Sequence, residues 1–392
     1  MANFLKQVLI MKVLIFTAST GGGHKRAAAA IEAKIREISP ETEVSVVDGM
    51  RAIGRFYHKS VCTGYYIMAT KTPEFYGQLY KITDRQELAA RAVMKSNENM
   101  SRKLLEVISK HAPDVIIICH AFIGNMVSRL KAKGKLTTKT ILLITDYDAH
   151  RTYISPNIDA FVIPQPQMKQ KLVETFGVDE NKIYALGIPT LDRFTEKADR
   201  AEICARERLN PDKPTVLLMA GSFGVTGVLK FYQQLVRSEA DIQMIVITGR
   251  NIRLFDHFQR KIEALDSKSS TKLLYFVDNV EDYMHVSDLI VTKPGGLTVT
   301  ESIACELPMA IYSAFPGQER ENAEFLVSQN AAILIEKDVG AAQIVALLNS
   351  PERLQKMRES CRNMAQPNAA EHIFRLAVQL CSPKQLPESA AE

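Results

Sequence analysis

A proline, two glycines and a glutamate follow a short apolar run in the second half of the chain. Pro294 ends this run, and Gly295 and Gly296 have no Cβ, so the backbone there can approach a ligand closely. The sequence predicts that Thr298 opens a helix that carries Glu301 one turn in. The amide N–H groups at such a helix start suit phosphate, and a carboxylate beside them can accept hydrogen bonds from a ribose hydroxyl.

Polar side chains follow the next predicted strand, 309–313. The loop after it contains Gln318, Glu319 and Asn322, and open α/β sheets bind ligands in loops after the carboxyl ends of their strands. A phosphate turn, a ribose acceptor and a cluster suited to sugar hydroxyls together indicate a nucleotide-sugar site. Each feature alone also occurs in an ordinary strand–helix–strand unit.

Another glycine turn lies near the start of the chain. The apolar run Lys12–Thr17 predicts a buried strand, and the glycines 21–23 and His24 connect it to a helical pattern over 25–38. The positive end of a helix disfavours protonation, so His24 is either a candidate base near neutral pH or a residue that lines the turn. A dinucleotide-dependent oxidoreductase, with Asp48 as the ribose acid, would need G-x-G-x-x-G, which this turn lacks.

Acidic residues and a histidine also follow the predicted strand 139–145. Asp146 and His150 would lie at a strand's carboxyl end, at the same edge of the sheet as His24. The segment 146–148 (Asp-Tyr-Asp) has the D-x-D form of a cation site but lies in the first half, so we interpret it as positioning an acceptor. Helix ends can stabilise a leaving diphosphate without a metal, and we expect neither a metal nor a cofactor.

Apolar runs alternate with helical patterns along the whole chain of 392 residues. This alternation predicts two doubly wound α/β domains that face each other across a cleft. We place the first at 1–194 and the second at 195–392, where 221–224 forms a further glycine turn and the final helix could pack back on the first domain. The six scattered cysteines predict free thiols, and we expect no signal peptide and no membrane-spanning helix.

The two halves differ in charge. Residues 1–194 contain 27 Lys and Arg against 18 Asp and Glu, whereas residues 195–392 contain 22 against 26. Between 50 and 100, cations alternate with aromatic and apolar residues, which is typical of either an anionic membrane surface contact or helices packed on a core, broken at Pro73. No nucleic-acid-binding signature accompanies this charge. The aromatic and apolar residues are Phe56, Tyr57, Tyr65, Tyr66, Ile67, Met68, Phe75 and Tyr76.

These motifs resemble those of the monogalactosyldiacylglycerol synthases and bacterial diacylglycerol glucosyltransferases of glycosyltransferase family 28, which have the GT-B fold. The second half carries P-G-G-x-T-x-x-E at 294–301 and P-G-Q-E-x-x-N at 316–322, and the first half carries G-G-G-H at 21–24 and T-D-x-x-x-H at 145–150. The spacing of Tyr66, Pro73 and Tyr76 is similar to the family's lipid-binding region. One departure follows residues 187–189, where the family often has a nearby arginine and this chain has Thr190, Leu191 and Asp192 before Arg193.

The resemblance implies an inverting transfer of glucose or galactose from a uridine diphosphate sugar to diacylglycerol, by a peripheral protein at the cytoplasmic face of the cell membrane. The alternatives are transfer to another lipid-linked acceptor, as in peptidoglycan precursor synthesis, and a nucleotide-sugar-binding protein without catalysis. The implied roles are binding of the diphosphate, the ribose, the uracil and the sugar hydroxyls, and general-base catalysis. The resemblance assigns the diphosphate to Gly221, Ser222, Phe223, Gly295, Gly296, Leu297 and Thr298. It assigns the ribose to Glu301, and the uracil to Arg250, Phe276 and Val277. It assigns the sugar hydroxyls to Gln318, Glu319 and Asn322, and the role of general base to His24 or Asp146.

Overall fold

The computed structural model describes residues 11–19, 22–54, 72–93, 98–220, 227–265 and 268–382. Within these ranges the strands form two six-stranded sheets, every neighbouring pair of strands is parallel, and helices cover both faces. The predicted doubly wound architecture is therefore confirmed.

The first sheet has the order β2-β1-β3-β4-β5-β6. Its strands are β1 (Lys12–Thr17), β2 (Glu43–Asp48), β3 (Val115–Ile118), β4 (Lys139–Leu143), β5 (Ala160–Ile163) and β6 (Ile183–Ala185). The helices around it are α1 (Gly23–Ile38), α2 (Gly49–Ile53), α3 (Pro73–Arg85), α4 (Glu87–Val93), α5 (Glu98–His111), α6 (Ala121–Ala132) and the short α7 (Met168–Gln170), which continues as a π-helical turn over Lys171–Thr175. Short 3₁₀ turns cover Arg151–Tyr153, Glu180–Lys182 and Asp192–Phe194.

The second sheet has the order β12-β11-β10-β7-β8-β9, which is the Rossmann order. Its strands are β7 (Thr215–Met219), β8 (Gln243–Ile247), β9 (Ser270–Leu274), β10 (Leu289–Thr292), β11 (Met309–Ile311) and β12 (Ala332–Leu334). The helices are α8 (Arg200–Glu207), α9 (Gly227–Arg237), α10 (Ile252–Ala264), α11 (Val280–His285), α12 (Gly296–Ala304), α13 (Gln318–Ser328), α14 (Gly340–Leu348), α15 (Pro351–Met364) and α16 (Ala369–Cys381).

The last helix, α16, packs on the first sheet although it follows the second along the chain. Ile373 and Phe374 are fully or almost fully buried in the same cluster as Ile15 of β1 and Ile117 of β3. Strands of a parallel sheet are apolar on both faces, so each face needs such a cover. The predicted boundary between 194 and 195 falls in the connection from β6 to β7 and stays a prediction.

Several predicted element boundaries are wrong. The fourth strand ends at Leu143 and the eleventh at Ile311, each two residues before the predicted end, and α1 begins at Gly23, two residues before the predicted start. Helix α12 begins at Gly296, not at Thr298, because Gly295 adopts an extended conformation and serves as the N-cap. The apolar run 272–277 predicts a strand, but β9 spans Ser270–Leu274, because this edge strand pairs only with β8 and tolerates polar residues at its start. No helix in the described ranges has the length and apolar character needed to cross a membrane. The cysteines within those ranges are free, as predicted.

Candidate active site

The carboxyl-terminal edges of the two sheets meet at two glycines, and at one of them there is no room for a side chain. A Cβ atom built on Gly296, the first residue of α12, would lie 1.9 Å from the carbonyl oxygen of Thr145, just after β4. A Cβ on Gly23, the first residue of α1, would lie 3.3 Å from the side chain of Leu297. The start of α1 therefore contacts the start of α12 across the interface between the sheets.

His24 is the second residue of α1, and its imidazole lies near this interface. Its Nδ1 is 3.4 Å from the Oγ1 of Thr145, and its ring meets that of His120 edge to face at a centroid distance of 5.0 Å. Burial lowers the pKa of His24 to about 4, although a hydrogen bond with the backbone of Cys119 opposes that shift. His24 is therefore neutral near pH 7 and can accept a proton.

Asp146 belongs to the same hydrogen-bond network. Its Oδ2 accepts a hydrogen bond from the Tyr153 hydroxyl at 3.2 Å, and its Oδ1 accepts one from the Asn322 amide at 3.3 Å. The Tyr153 hydroxyl also lies 3.5 Å from the Oγ1 of Thr145. Burial raises the pKa of Asp146 to about 6, against the effect of both hydrogen bonds. The structure thus brings the two predicted bases, His24 and Asp146, into one network.

The two other polar residues after β4 have separate partners. Asp148 accepts a hydrogen bond from the Lys171 ammonium at 2.6 Å, whereas the carboxylate of Asp146 is held by Tyr153 and Asn322. His150 is 3% exposed, and its Nε2 lies 2.9 Å from the carbonyl oxygen of Tyr80 in α3. His150 therefore packs beneath α3 instead of joining the network of His24.

Sequence reasoning missed His120, which follows β3 directly. Its Nδ1 is buried and has no hydrogen-bond partner within the described part of the chain. Burial lowers the pKa of His120 to about 3, and the neighbouring His24 adds to that shift. Its position after a strand, at the same sheet edge as His24, was the signal that could have identified it.

Glu301 lies inside α12 and is not open to the cleft. Its carboxylate is 2% exposed and accepts a hydrogen bond from the Arg26 guanidinium of α1 at 2.7 Å. Burial raises the pKa of Glu301 to about 7, although Arg26 opposes that shift. A ribose can therefore reach Glu301 only if the Arg26 side chain moves. Sequence reasoning missed Arg26 because nothing in the local pattern of α1 indicates a partner 275 residues away.

The residues predicted to bind the sugar surround the start of α13. The Gln318 Oε1 accepts a hydrogen bond from the Tyr76 hydroxyl at 2.6 Å. Glu319 accepts one from the backbone N–H of Phe315 at 2.8 Å and lies 3.4 Å from the Lys293 ammonium. Lys293 also lies 3.1 Å from the ring centroid of Phe315. Gln318 and Glu319 are thus held in place beside the turn 294–296.

Asn322, the third predicted sugar-binding residue, is fully buried. Its Oδ1 accepts a hydrogen bond from the backbone N–H of Tyr147 at 2.7 Å, and its Nδ2 donates to the Pro294 carbonyl at 2.9 Å as well as to Asp146. Its amide therefore joins the turn before α12 to the loop after β4. In this structure Asn322 positions Asp146 and offers no free group to a sugar.

Helix α3 packs against the same loop of the second sheet. The Tyr80 hydroxyl donates to Glu321 at 2.6 Å, and burial raises the pKa of Glu321 to about 8. A Cβ on Gly77 would lie 2.5 Å from the Cβ of Pro316, so only glycine fits there. Tyr80 lies four residues after Tyr76 and three after Gly77, so it neighbours both on the surface of α3. The segment predicted to contact the membrane thus also contacts the predicted sugar-binding loop.

The residues predicted to lie near a uracil form an exposed pair at the far end of the sheet edge. The Arg250 guanidinium lies 4.4 Å from the ring centroid of Phe276, which is 45% exposed after β9. Val277 packs partly against the core.

Thr298 is partly buried in the first turn of α12. Gly221, Ser222 and Phe223 lie outside the described residues, as does Tyr66.

Arg193, which follows the departure from the family pattern, contacts the second sheet's helices. Its guanidinium lies 3.2 Å from the Glu281 carboxylate and donates to the Asp278 carbonyl at 2.8 Å. The preceding Asp192 forms an ion pair with Lys34 of α1. These contacts connect the segment after β6 to both halves of the molecule.

Asp48, the ribose acid of the oxidoreductase alternative, caps α2 and accepts a hydrogen bond from Ser19.

The molecule has two Rossmann-like sheets that face each other, which is the GT-B glycosyltransferase fold. The candidate bases lie at the edge of one sheet, and helix α12, which begins with a glycine, lies at the edge of the other. Solved structures share it over nearly their whole length. A MurG from Acinetobacter baumannii has a TM-score of 0.63 at 13% identity and covers 94% of this chain and 99% of its own. The S. aureus MnaA–UDP co-structure has a TM-score of 0.63 at 15% identity and covers 97% and 100%.

Sequence comparisons then identify the family. The model of monogalactosyldiacylglycerol (MGDG) synthase matches residues 24–190, and that of the glycosyltransferase family 28 C-terminal domain matches 215–377. A processive diacylglycerol beta-glucosyltransferase of Bacillus licheniformis is 30% identical over 70% of both chains, and one of Bacillus pumilus is 28% identical over 93% of both. The chain therefore belongs to the diacylglycerol glycosyltransferases of glycosyltransferase family 28, and it is a glycosyltransferase of glycolipid synthesis.

Proposed function

We propose that this enzyme transfers glucose or galactose from a uridine diphosphate sugar to the free hydroxyl of diacylglycerol, with inversion at the anomeric carbon. The observation that carries the proposal is the network of His24, Thr145, Tyr153 and Asp146, which contacts the start of α12 across the interface. This contact supports the proposal, because a residue that can accept a proton on one sheet would then face a helix start on the other that suits a phosphate. Both relatives described above are named as diacylglycerol beta-glucosyltransferases.

The donor would bind to the second sheet. The free amides at the start of α12 and the adjacent Gly295, whose Cβ position is open, would receive the diphosphate. The exposed Arg250–Phe276 pair would hold the uracil, and Glu301 would accept from the ribose once Arg26 has moved. Helix amides and the nearby Lys293 supply positive charge to the leaving diphosphate, so we propose that no metal is required.

The acceptor hydroxyl would attack the anomeric carbon from the side opposite the diphosphate. It becomes a good nucleophile only as its proton leaves, and general-base assistance contributes about 10²–10⁴-fold. His24 is neutral near pH 7, and Asp146 is mostly ionised there because its raised pKa of about 6 still lies below 7. Either group can take the proton, and Tyr153 and Asn322 would hold Asp146 in place.

We propose that α3 and α4 bring the enzyme to the cytoplasmic face of the membrane as a peripheral protein. Four large apolar side chains on these helices are strongly exposed, from 46% for Ile82 to 80% for Leu88. Phe75 and Ile82 lie seven residues apart on one face of α3, and the exposed cations Lys81, Arg85 and Arg91 lie among them. Apolar residues interspersed with cations suit an anionic membrane surface.

A transfer assay tests the proposed function. The protein is incubated with radiolabelled uridine diphosphate glucose or galactose and with vesicles that contain or lack diacylglycerol, and the lipid fraction is chromatographed. We expect labelled glycolipid only when diacylglycerol is present. Label in a lipid-linked peptidoglycan precursor but not in diacylglycerol would favour the alternative acceptor. Nucleotide binding without label in any lipid would indicate a non-catalytic binding protein.

A further inference from the structure

Arg26 of α1 reaches across the interface between the two sheets to the carboxylate that we propose for the ribose. Its guanidinium donates to the Glu301 Oε2 at 2.7 Å. The side chain of Arg26 is 40% exposed, whereas that of Glu301 is 2% exposed, so the cation forms the outer side of this ion pair. The guanidinium can therefore turn towards a ligand in the cleft while Glu301 stays inside α12.

The start of α12, which we propose for the diphosphate, lies close to this ion pair. Glu301 is five residues after Gly296, which corresponds to about 7.5 Å along the helix axis. The start of α1 contacts the start of α12 through Gly23 and Leu297, and Arg26 follows Gly23 by three residues. An arginine side chain has many accessible rotamers. A diphosphate at the start of α12 would thus lie within reach of the Arg26 guanidinium.

A carboxylate of the first half already faces the start of α12. A Cβ atom on Gly296 would lie 3.5 Å from the Oδ1 of Asp146. Asp146 is mostly ionised at pH 7, because its pKa of about 6 lies below that pH. A diphosphate bound at this helix start would therefore bring like charges close together at a buried site, where their repulsion is strong. Binding of the donor calls for an additional cation at this point.

Two other basic side chains near the start of α12 are less suited than Arg26 to supply that charge. His24 is neutral near pH 7, because its pKa is about 4. Lys293 lies 3.4 Å from the Glu319 carboxylate, and burial lowers the pKa of Lys293. A guanidinium, in contrast, stays charged and binds a phosphate through two parallel hydrogen bonds. The ribose hydroxyls could then replace Arg26 as hydrogen-bond donors to the buried carboxylate.

We propose that Arg26 exchanges partners when the donor binds, pairing with Glu301 in the free enzyme and with the donor's diphosphate in the complex. This inference rests on the uridine diphosphate sugar proposed above as the donor. Glu301 would become free to accept from the ribose, and the guanidinium would stabilise the negative charge that develops on the leaving diphosphate. Since Arg26 belongs to the first half, a bound donor would also connect the two halves through it.

Titrations of the full chain with uridine and with uridine diphosphate, followed by the NMR signals of each ligand, test this exchange. Uridine has the ribose without a phosphate, so it competes with Arg26 for Glu301 and gains nothing from the guanidinium. In Arg26→Gln we expect uridine to bind at least as tightly as in the wild type. Uridine diphosphate should bind about tenfold or more weakly, because charged hydrogen bonds are lost. Arg26→Lys keeps the charge without the planar fork and should lose less affinity.

Arg36→Gln is the matched control for the loss of an arginine from α1. Arg36 forms an ion pair with Glu32 at 2.7 Å, and it lies about 15 Å further along the same helix than Arg26. Its replacement should leave the affinities for both ligands unchanged. An equal loss of uridine diphosphate affinity in Arg36→Gln and Arg26→Gln would contradict the inference.

The two affinities of Arg26→Gln also separate the exchange from a merely structural role. A parallel loss of affinity for both ligands would mean that Arg26 only holds Glu301 in place. Unchanged affinity for uridine diphosphate would mean that Arg26 does not contact the diphosphate, and either result overturns the inference while the proposed donor stands. A wild-type protein that does not bind uridine diphosphate would contradict the proposed donor, and the inference with it.

Discussion

Replacing Gly296 by alanine should push the two sheets apart. The new Cβ would lie 1.9 Å from the Thr145 carbonyl oxygen, and real Cβ atoms keep at least 3.0 Å from such an atom, so the interface must open by about 1.1 Å. The neighbouring atom belongs to the backbone after β4 and cannot turn aside as a flexible side chain would. Overpacking of this kind costs about 1–3 kcal/mol, and the better helix propensity of alanine returns at most about 1 kcal/mol.

Urea denaturation and small-angle scattering of the free protein measure this effect. We expect Gly296→Ala to lower the free energy of unfolding by about 1–2 kcal/mol or to increase the radius of gyration, depending on whether the halves stay in contact. Gly295→Ala is the control, since a Cβ there meets no atom within 4 Å and its φ of −71° and ψ of 133° suit alanine. If both variants match the wild type in both measurements, the halves do not approach each other as described.

Three further predictions concern catalysis, nucleotide binding and the membrane. The two candidate bases predict different results: if His24 is the base, His24→Ala should lower turnover about 10²–10⁴-fold and leave uridine diphosphate affinity unchanged. If Asp146 is the base, Asp146→Asn should cause the loss of turnover, and the wild-type profile of kcat/KM should show an acid limb near pH 6, because a base works only above its pKa. Glu301→Ala should weaken uridine diphosphate binding by about 1.5–3 kcal/mol in calorimetry, as expected for lost charged hydrogen bonds. Vesicle sedimentation should depend on anionic lipid, weaken with salt and weaken again in Leu88→Ser, because exposed charges are screened over about 8–10 Å at physiological ionic strength.

Each of these predictions has an outcome that would contradict it. An acid limb that stays near pH 6 in Asp146→Asn would contradict its assignment to Asp146, and it would not belong to His24, whose pKa is about 4. Normal turnover of His24→Ala at saturating substrates would make His24 a turn residue. Unchanged nucleotide affinity in a folded Glu301→Ala protein would remove Glu301 from the site. Equal sedimentation at all salt concentrations would exclude the proposed membrane contact.

The buried Glu301 also makes stability depend on pH. Its pKa in the folded protein is about 7, against an ordinary value of 4.5, so the folded state keeps a proton that the unfolded state releases between these values. Stability should therefore fall as pH rises from about 4.5 to 7. Glu301→Gln carries no titratable group and should lack this part of the pH dependence. Chemical denaturation at several pH values measures the difference, and parallel curves for both proteins would contradict the raised pKa.

The sequence predicted the fold well because each strand is an apolar run followed by a glycine or polar turn. Local patterns of this kind identify the parallel strands, and their carboxyl ends place His24, Asp146 and the start of α12 at facing edges. The start of β9 could not be predicted from the sequence, because its first residues are polar and only the pairing with β8 shows that Ser270 belongs to a strand.

The partners of the site residues could not be predicted in the same way. Arg26 meets Glu301, and Asn322 meets Asp146, across the interface between the two sheets. These pairs depend on how the halves dock, which no local pattern encodes. Asn322 shows the consequence, since a residue that we predicted to contact sugar has its amide engaged by Tyr147, Pro294 and Asp146.

The anomeric configuration of the product tests the central claim most directly. The enzyme is incubated with ¹³C-labelled uridine diphosphate glucose or galactose and diacylglycerol, and the isolated glycolipid is examined by NMR. Direct attack of the lipid hydroxyl opposite the diphosphate of an α-linked donor predicts a β-linked hexose on diacylglycerol, with the large coupling between H1 and H2 that a diaxial arrangement gives. An α-linked product, or no glycolipid from either donor, would contradict the account.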